Sequence, residues 1–157
     1  GVQRVLFRSL LMGAVLNMAP EDYGAIITQV PFVDAVTTML DPTIPLATNE
    51  YDEWGNPEQK PAYDYILSYS PYDNVRAKPY PPIYVSTGLW DRQVQYYEPA
   101  KWVARLRRLK TDDNPLVFRV NMEAGHGGTS GRLRHYEEQA EYLAFMMHEL
   151  GVDRGAN

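Results

Sequence analysis

The sequence predicts an α/β fold built of parallel strands flanked by helices. Three observations carry this expectation. Helical and extended segments alternate along the chain, the extended ones are short and rich in β-branched and aromatic residues, and chemistry-bearing residues fall just past their carboxyl ends.

The elements follow in order. Leu10 to Met18 (LLMGAVLNM) is apolar nearly all round and reads as a buried helix that stops before Pro20, where the chain loses an amide donor. A short strand is expected at residues 25–30. From Pro31 to Pro82 the chain is rich in proline, tyrosine and aspartate, with turn signals at Asp41-Pro42, Asn56-Pro57 and Ser70-Pro71, which predicts an excursion with short helices. Residues 83–87 (IYVST) have the character of a central strand and run directly into Gly88, Leu89, Trp90 and Asp91. Residues 96–110 predict a helix with Trp102, Val103, Leu106 and Leu109 inward, closed by the polar turn Thr111 to Pro115. A strand at 116–120 and a loop at 121–130 come next. The last helix, over 131–150, has apolar positions Leu133, Tyr136, Ala140, Leu143, Met147 and Leu150 stepping by three and four, with Gly151 as its C-cap.

Composition narrows the function classes. The 157 residues, 45% hydrophobic and 22% charged, suit one globular domain or part of one. A formal charge of -5, with the basic residues of Lys101 to Lys110 interleaved with apolar ones, leaves no phosphate-binding patch, so nucleic acid is not an expected partner. The longest apolar run, Leu10 to Leu16, falls short of the roughly 18 residues that read as a membrane span. The absence of cysteine rules out disulfides and thiolate-bound zinc and fits a cytoplasmic location. Gly1 to Ser9 (GVQRVLFRS) is neither a cleavable signal nor a targeting helix, and the chain is expected to be truncated upstream.

His126 is the most informative residue, because Gly125, Gly127 and Gly128 surround it and let another group approach the imidazole closely. A glycine-rich turn that needs its histidine only for geometry is the plainer reading. Placement favours chemistry: Asp91 and His126 both follow strand ends on one sheet edge, and a carboxylate there holds an imidazole in one tautomer. The two are expected within hydrogen-bond reach. His135 and His148 read as solvated helix residues. Asn49 to Trp54 (NEYDEW) gathers Glu50, Asp52 and Glu53; in extended geometry Glu50 and Asp52 share a face and suit a cationic ligand, whereas the alternative is a solvated acidic loop. The alternating oxygen ligands and central glycine of a calcium loop are missing, and neither metal nor cofactor is expected.

Together the segments LLMGAVLNM, VPFVDAVTTMLDPTIPL, EYDEWGNP, YDYILSYSPYDNV, PPIYVSTGLWD, YYEPAKWVARLRRLKTDDNPL and NMEAGHGGTSGR strongly resemble the oligopeptidase B group of the prolyl oligopeptidase family, from Leu10 to about Leu150. The resemblance implies a partial α/β-hydrolase fold belonging to a serine endopeptidase that cleaves short peptides after arginine or lysine, with a β-propeller domain upstream. It makes Asp91 the triad acid, His126 the triad base and Glu50 the acid that holds the basic substrate side chain. Asp52 stands where a second glutamate is usual, one methylene shorter. Gln93, beside Arg92, stands where many relatives carry an arginine for the substrate backbone.

The departure from the family lies at the start. Before LLMG the family reads Gly, any residue, Ser, Ala, Gly, Gly, whereas here Leu6, Phe7, Arg8 and Ser9 replace Ser-Ala-Gly-Gly. Leu6 falls on the nucleophile position, and a leucine cannot attack a carbonyl. Ser9, three residues late, reads as the N-cap of the first helix. The expected organisation is a non-family junction at 1–9, a C-terminal portion of a peptidase catalytic domain at 10–151 and a tail at 152–157. Three functions compete: a peptidase fragment without activity of its own, a noncatalytic module for basic peptides, and a different serine hydrolase using Ser9.

Overall fold

The computed structural model describes residues 6–7, 10–44, 50–126 and 132–152. Among them, strands β1 (Leu6–Phe7), β2 (Ile26–Gln29), β3 (Ile83–Gly88) and β4 (Leu116–Asn121) form one parallel sheet in the order β1-β2-β3-β4. The α/β expectation holds, with one strand more than the sequence suggested. β1 is only two residues long and lies in the segment that looked foreign, so periodicity had nothing to register there; Leu6 pairs with Ile27 and Phe7 with Thr28. No helix among the described residues is long and apolar enough to cross a membrane.

Helices α1 (Leu10–Met18) and α5 (Tyr97–Leu109) cover one face of the sheet, where Met12, Leu16, Trp102, Val103 and Leu106 close on Ile26, Ile83 and Val85. Helix α1 is not buried all round, as its composition suggested. Met12, Gly13 and Leu16 are buried, but Leu11 and Met18 remain exposed because only one side of the helix meets the sheet and its neighbours. The excursion between β2 and β3 contains α2 (Ala35–Met39), α3 (Tyr51–Trp54) and α4 (Lys60–Tyr69), with Ala35, Val36 and Ile66 in a second core. Its turn signals act as read: Asp41 Oδ1 accepts the Thr43 amide and hydroxyl, and Asn56 Oδ1 accepts the Glu58 amide.

Helix α6 (Arg132–Glu149) covers the other face, and of the stripe expected from sequence Leu143 takes part in this packing. Tyr142, Leu143, Phe145 and Met146 pack on Ile27 and Tyr84, whereas Tyr136, Ala140 and Met147 are exposed. The sheet presents polar groups here: the Tyr84 hydroxyl donates to Glu141 Oε2 at 3.2 Å, Arg119 pairs with the same carboxylate at 3.1 Å, and the Asn121 amide donates to Glu138. The helix turns these carboxylates toward the sheet, and its apolar stripe turns with them. Gly151 caps it as expected. At φ +62° its amide reaches the His148 carbonyl and the Val152 amide reaches that of Met147, the two bonds of a Schellman end.

Candidate active site

The two loops that follow β3 and β4 are laced together by backbone. Leu89 N–H donates to Asn121 O at 2.9 Å and Trp90 N–H to Ala124 O at 3.1 Å, while the Trp90 indole N–H donates to Met122 O at 3.0 Å. The loops approach so closely at Gly88 that a Cβ there would sit 2.5 Å from the Ala124 carbonyl oxygen, which only glycine avoids. This contact places the residue three past Gly88 beside the residue two past Ala124.

Those residues are Asp91 and His126. Asp91 is buried, and its Oδ1 accepts the amides of Gln93 at 2.8 Å and Val94 at 2.9 Å, a local turn in which aspartate receives its own following backbone. Oδ2 is thereby aimed at His126 Nδ1, 2.9 Å away. An ionised carboxylate only accepts hydrogen bonds, so Nδ1 carries the proton and Nε2 keeps its lone pair. The His126 side chain is 29% exposed and that of Asp91 0%, so the acid is withdrawn from water while the ring stays accessible. The pair has the geometry of an oriented general base, ready to accept a proton at Nε2. No group of three or more His, Asp or Glu side chains among the described residues is placed to hold a metal ion.

A cleft of about 100 Å³ opens beside His126 between the sheet and α6, lined among others by Gln29, Ser86, Arg119, Asn121 and His135. His135, read from sequence as merely solvated, is exposed and stands at this cleft, its Nε2 2.9 Å from the Gln139 amide nitrogen. Val30, at the cleft's other side, leaves β2 with φ +49°, rare for a β-branched residue, and this left-handed turn ends the strand one residue earlier than expected.

Glu50 and Asp52 are not among the residues of this cleft. Nor do they share a face through extended geometry: Glu50 has helical dihedrals at the N-cap of α3, and Asp52 lies within that helix. Two positions along a helix are about 200° apart, so the pairing argument fails while Glu50, partly buried, stays available to a ligand by itself. Arg92 and Gln93 are both exposed, Gln93 with its amide committed to Asp91. Ser9, Gly127 and Gly128 lie outside the described residues.

One buried acid escaped the sequence reading. Glu98, in the first turn of α5, is 0% exposed; Oε1 accepts the amides of Val33 at 2.6 Å and Asp34 at 2.8 Å, and Oε2 accepts the Thr38 hydroxyl at 2.8 Å. Burial pushes its carboxyl up to about 7, against the pull of these donors. A signal for it existed, since Glu98 is four residues before the inward Trp102 and so shares its helical face.

Sheet order and flanking helices, with an acid and a histidine on successive strand ends, are those of an α/β-hydrolase-type fold. The prolyl oligopeptidase family model matches residues 9–153, and the chain belongs to that family. It is 73% identical over 143 residues to the dipeptidyl aminopeptidase BI of Pseudoxanthomonas mexicana, covering 91% of this chain and 20% of that protein. It is 59% identical over 144 residues to protease 2 of Moraxella lacunata, covering 92% and 21%. Oligopeptidase B from Leishmania major superposes with a TM-score of 0.89 at 52% identity, and oligopeptidase B from Trypanosoma brucei with covalently bound antipain with 0.88 at 48%, each covering 90% of this chain and 20% of the other. The chain thus spans about a fifth of the length of the relatives it matches.

Proposed function

We propose that this chain carries the acid and base of a serine-peptidase triad, Asp91 and His126, together with an acidic contact for a basic substrate side chain at Glu50, and that by itself it turns over no peptide. The observation that carries the reading is the buried Asp91 carboxylate 2.9 Å from Nδ1 of the accessible His126 ring, on the loops after adjacent strands. In this arrangement the imidazole takes a nucleophile's proton at Nε2, and Asp91 stabilises the imidazolium that forms. Leu6, on the family's nucleophile position, has neither a proton to give nor a lone pair to attack with, so no acyl-enzyme forms.

The corresponding whole protein is, on this reading, a cytoplasmic endopeptidase that cleaves after arginine or lysine and carries a propeller upstream, with residues 1–9 a non-family junction. Similarity to protease 2 and to oligopeptidase B supports the peptidase part of this reading, while the Pseudoxanthomonas mexicana relative is named a dipeptidyl aminopeptidase. Asp52, exposed and one methylene short, adds less to the basic contact than Glu50.

Two measurements test the proposal. A fluorophosphonate probe should leave the chain unlabelled, and an arginyl ester should not turn over; labelling lost in Ser9→Ala would establish instead a hydrolase using Ser9. Titration with N-acetyl-arginine amide should saturate and weaken in Glu50→Gln. Equal binding by both would remove Glu50 from the site.

A further inference from the structure

Glu98 occupies a position from which it acts at a distance. It stands seven residues past Asp91 in sequence, on the helix that the Asp91 loop enters, yet the hydrogen-bond partners of its carboxylate among the described residues lie in the segment after β2. Its carboxylate gathers the amides of Val33 and Asp34 at the start of α2 and the Thr38 hydroxyl within it. Asp34, the N-cap residue of α2, makes no side-chain bond to its own helix; its carboxylate pairs instead with Lys101, three residues along α5 from Glu98. Helix α5 therefore grips the start of α2 with a carboxylate and an ammonium from one face.

What hangs on α2 is α3. The Tyr51 hydroxyl donates to the Met39 carbonyl at the last turn of α2, at 3.0 Å, and Trp54 meets the edge of Phe32, one residue before Val33, with ring centroids 5.7 Å apart. Helix α3 has four residues and none of them is buried, so its own packing does little to fix it. These two contacts to the clamped segment, together with a tilted ring contact between Trp54 and Tyr69 of α4 at 6.5 Å, locate it, and Glu50 is its N-cap.

We infer that Glu98 is a positioning residue for the basic-side-chain contact, locking α2 to α5 so that α3 holds Glu50 in place relative to the Asp91 loop. This rests on the reading of Glu50 proposed above and adds the residue that sets its position. Glu98 touches no substrate. Its effect passes through Val33, Asp34 and Thr38 to α2, and from Met39 and Phe32 to Tyr51 and Trp54.

The test uses the 157-residue chain, NMR observation of the Val33 and Asp34 amides, the Trp54 indole and the His126 ring, and titration with N-acetyl-arginine amide. In Glu98→Ala the two amides should exchange about tenfold faster or more, the Trp54 resonance should shift, and the dissociation constant should rise about tenfold, the scale for losing one to two hydrogen bonds. The His126 ring should stay where it was. Glu98→Gln should restore protection and binding to within about threefold, because its amide oxygen still accepts both backbone N–H groups and its NH₂ faces the Thr38 oxygen. If Glu98→Ala does not fold, Thr38→Val, which frees only Oε2, should give the same selective pattern at smaller amplitude. Unchanged amides and affinity, a change spread equally to His126, or failure of Gln to rescue would overturn the inference. Should Glu50→Gln bind like the parent chain while Glu98→Ala still loosens Val33, Asp34 and Trp54, the Glu50 reading fails and the clamp stands.

Discussion

Replacing Glu98 by glutamine should change how stability depends on pH, by an amount the structure sets. The carboxyl is wholly buried and its pKa rises from 4.5 to about 7 on folding. Between these values the folded chain binds more protons than the unfolded one, so this group's contribution is fully present below pH 4.5 and is lost as pH rises through 7. A difference of 7 − 4.5 = 2.5 at about 1.36 kcal/mol each corresponds to ~3 kcal/mol, a large part of the stability of a small domain. The facing groups are Asp34 and Lys101, with Tyr97 on the same helix. Urea unfolding of the parent chain and Glu98→Gln at intervals from pH 4 to 8.5 provides the assay, and the difference between the two removes every other titration. The parent should lose about 3 kcal/mol relative to the variant across this range. Parallel curves would refute the reasoning and show that the three donors, not burial, govern the carboxyl.

Further expectations follow from single contacts. Asp91→Asn keeps an acceptor for the Gln93 and Val94 amides but turns an NH₂ group toward Nδ1, so ¹⁵N NMR should find His126 shifted from the Nδ1–H to the Nε2–H tautomer. Gly88→Ala drives a methyl to within 2.5 Å of the Ala124 oxygen and should destabilise by about 1 to 3 kcal/mol in urea unfolding. Gly151→Ala, with open space around it but φ +62°, should cost only about 1 kcal/mol in the same measurement.

The strands and helices were legible where the sequence carries a strong period or stop. IYVST running into glycine, and Tyr97–Leu109 with Trp102, Val103 and Leu106 inward, formed as read. The pairing of Asp91 with His126 was legible too, because two strand ends point residues to one sheet edge whatever the intervening chain does. Apolar spacing failed where polar pairing decides orientation: Tyr136 and Met147 lost the inward face of α6 to residues that bring Glu138 and Glu141 onto Asn121, Arg119 and Tyr84. Glu98 shares the helical face of Trp102, but its role went unseen because two of its three partners are backbone amides more than sixty residues away, and an amide leaves no mark in a sequence. The paired-acid reading of Glu50 and Asp52 assumed a backbone conformation that four residues cannot announce.

The most direct test of the central claim supplies what Leu6 does not. Residues 10–151 should be grafted in place of the matching segment of the Pseudoxanthomonas mexicana relative, which shares 73% identity with this chain, and cleavage measured with a peptide substrate that the unaltered relative turns over. If Asp91 and His126 are the acid and base of the triad, the chimera should cleave, His126→Ala should abolish cleavage, and Asp91→Asn should lower kcat about 10⁴-fold at neutral pH with the fold intact. A folded chimera that keeps full turnover in either variant would contradict the account.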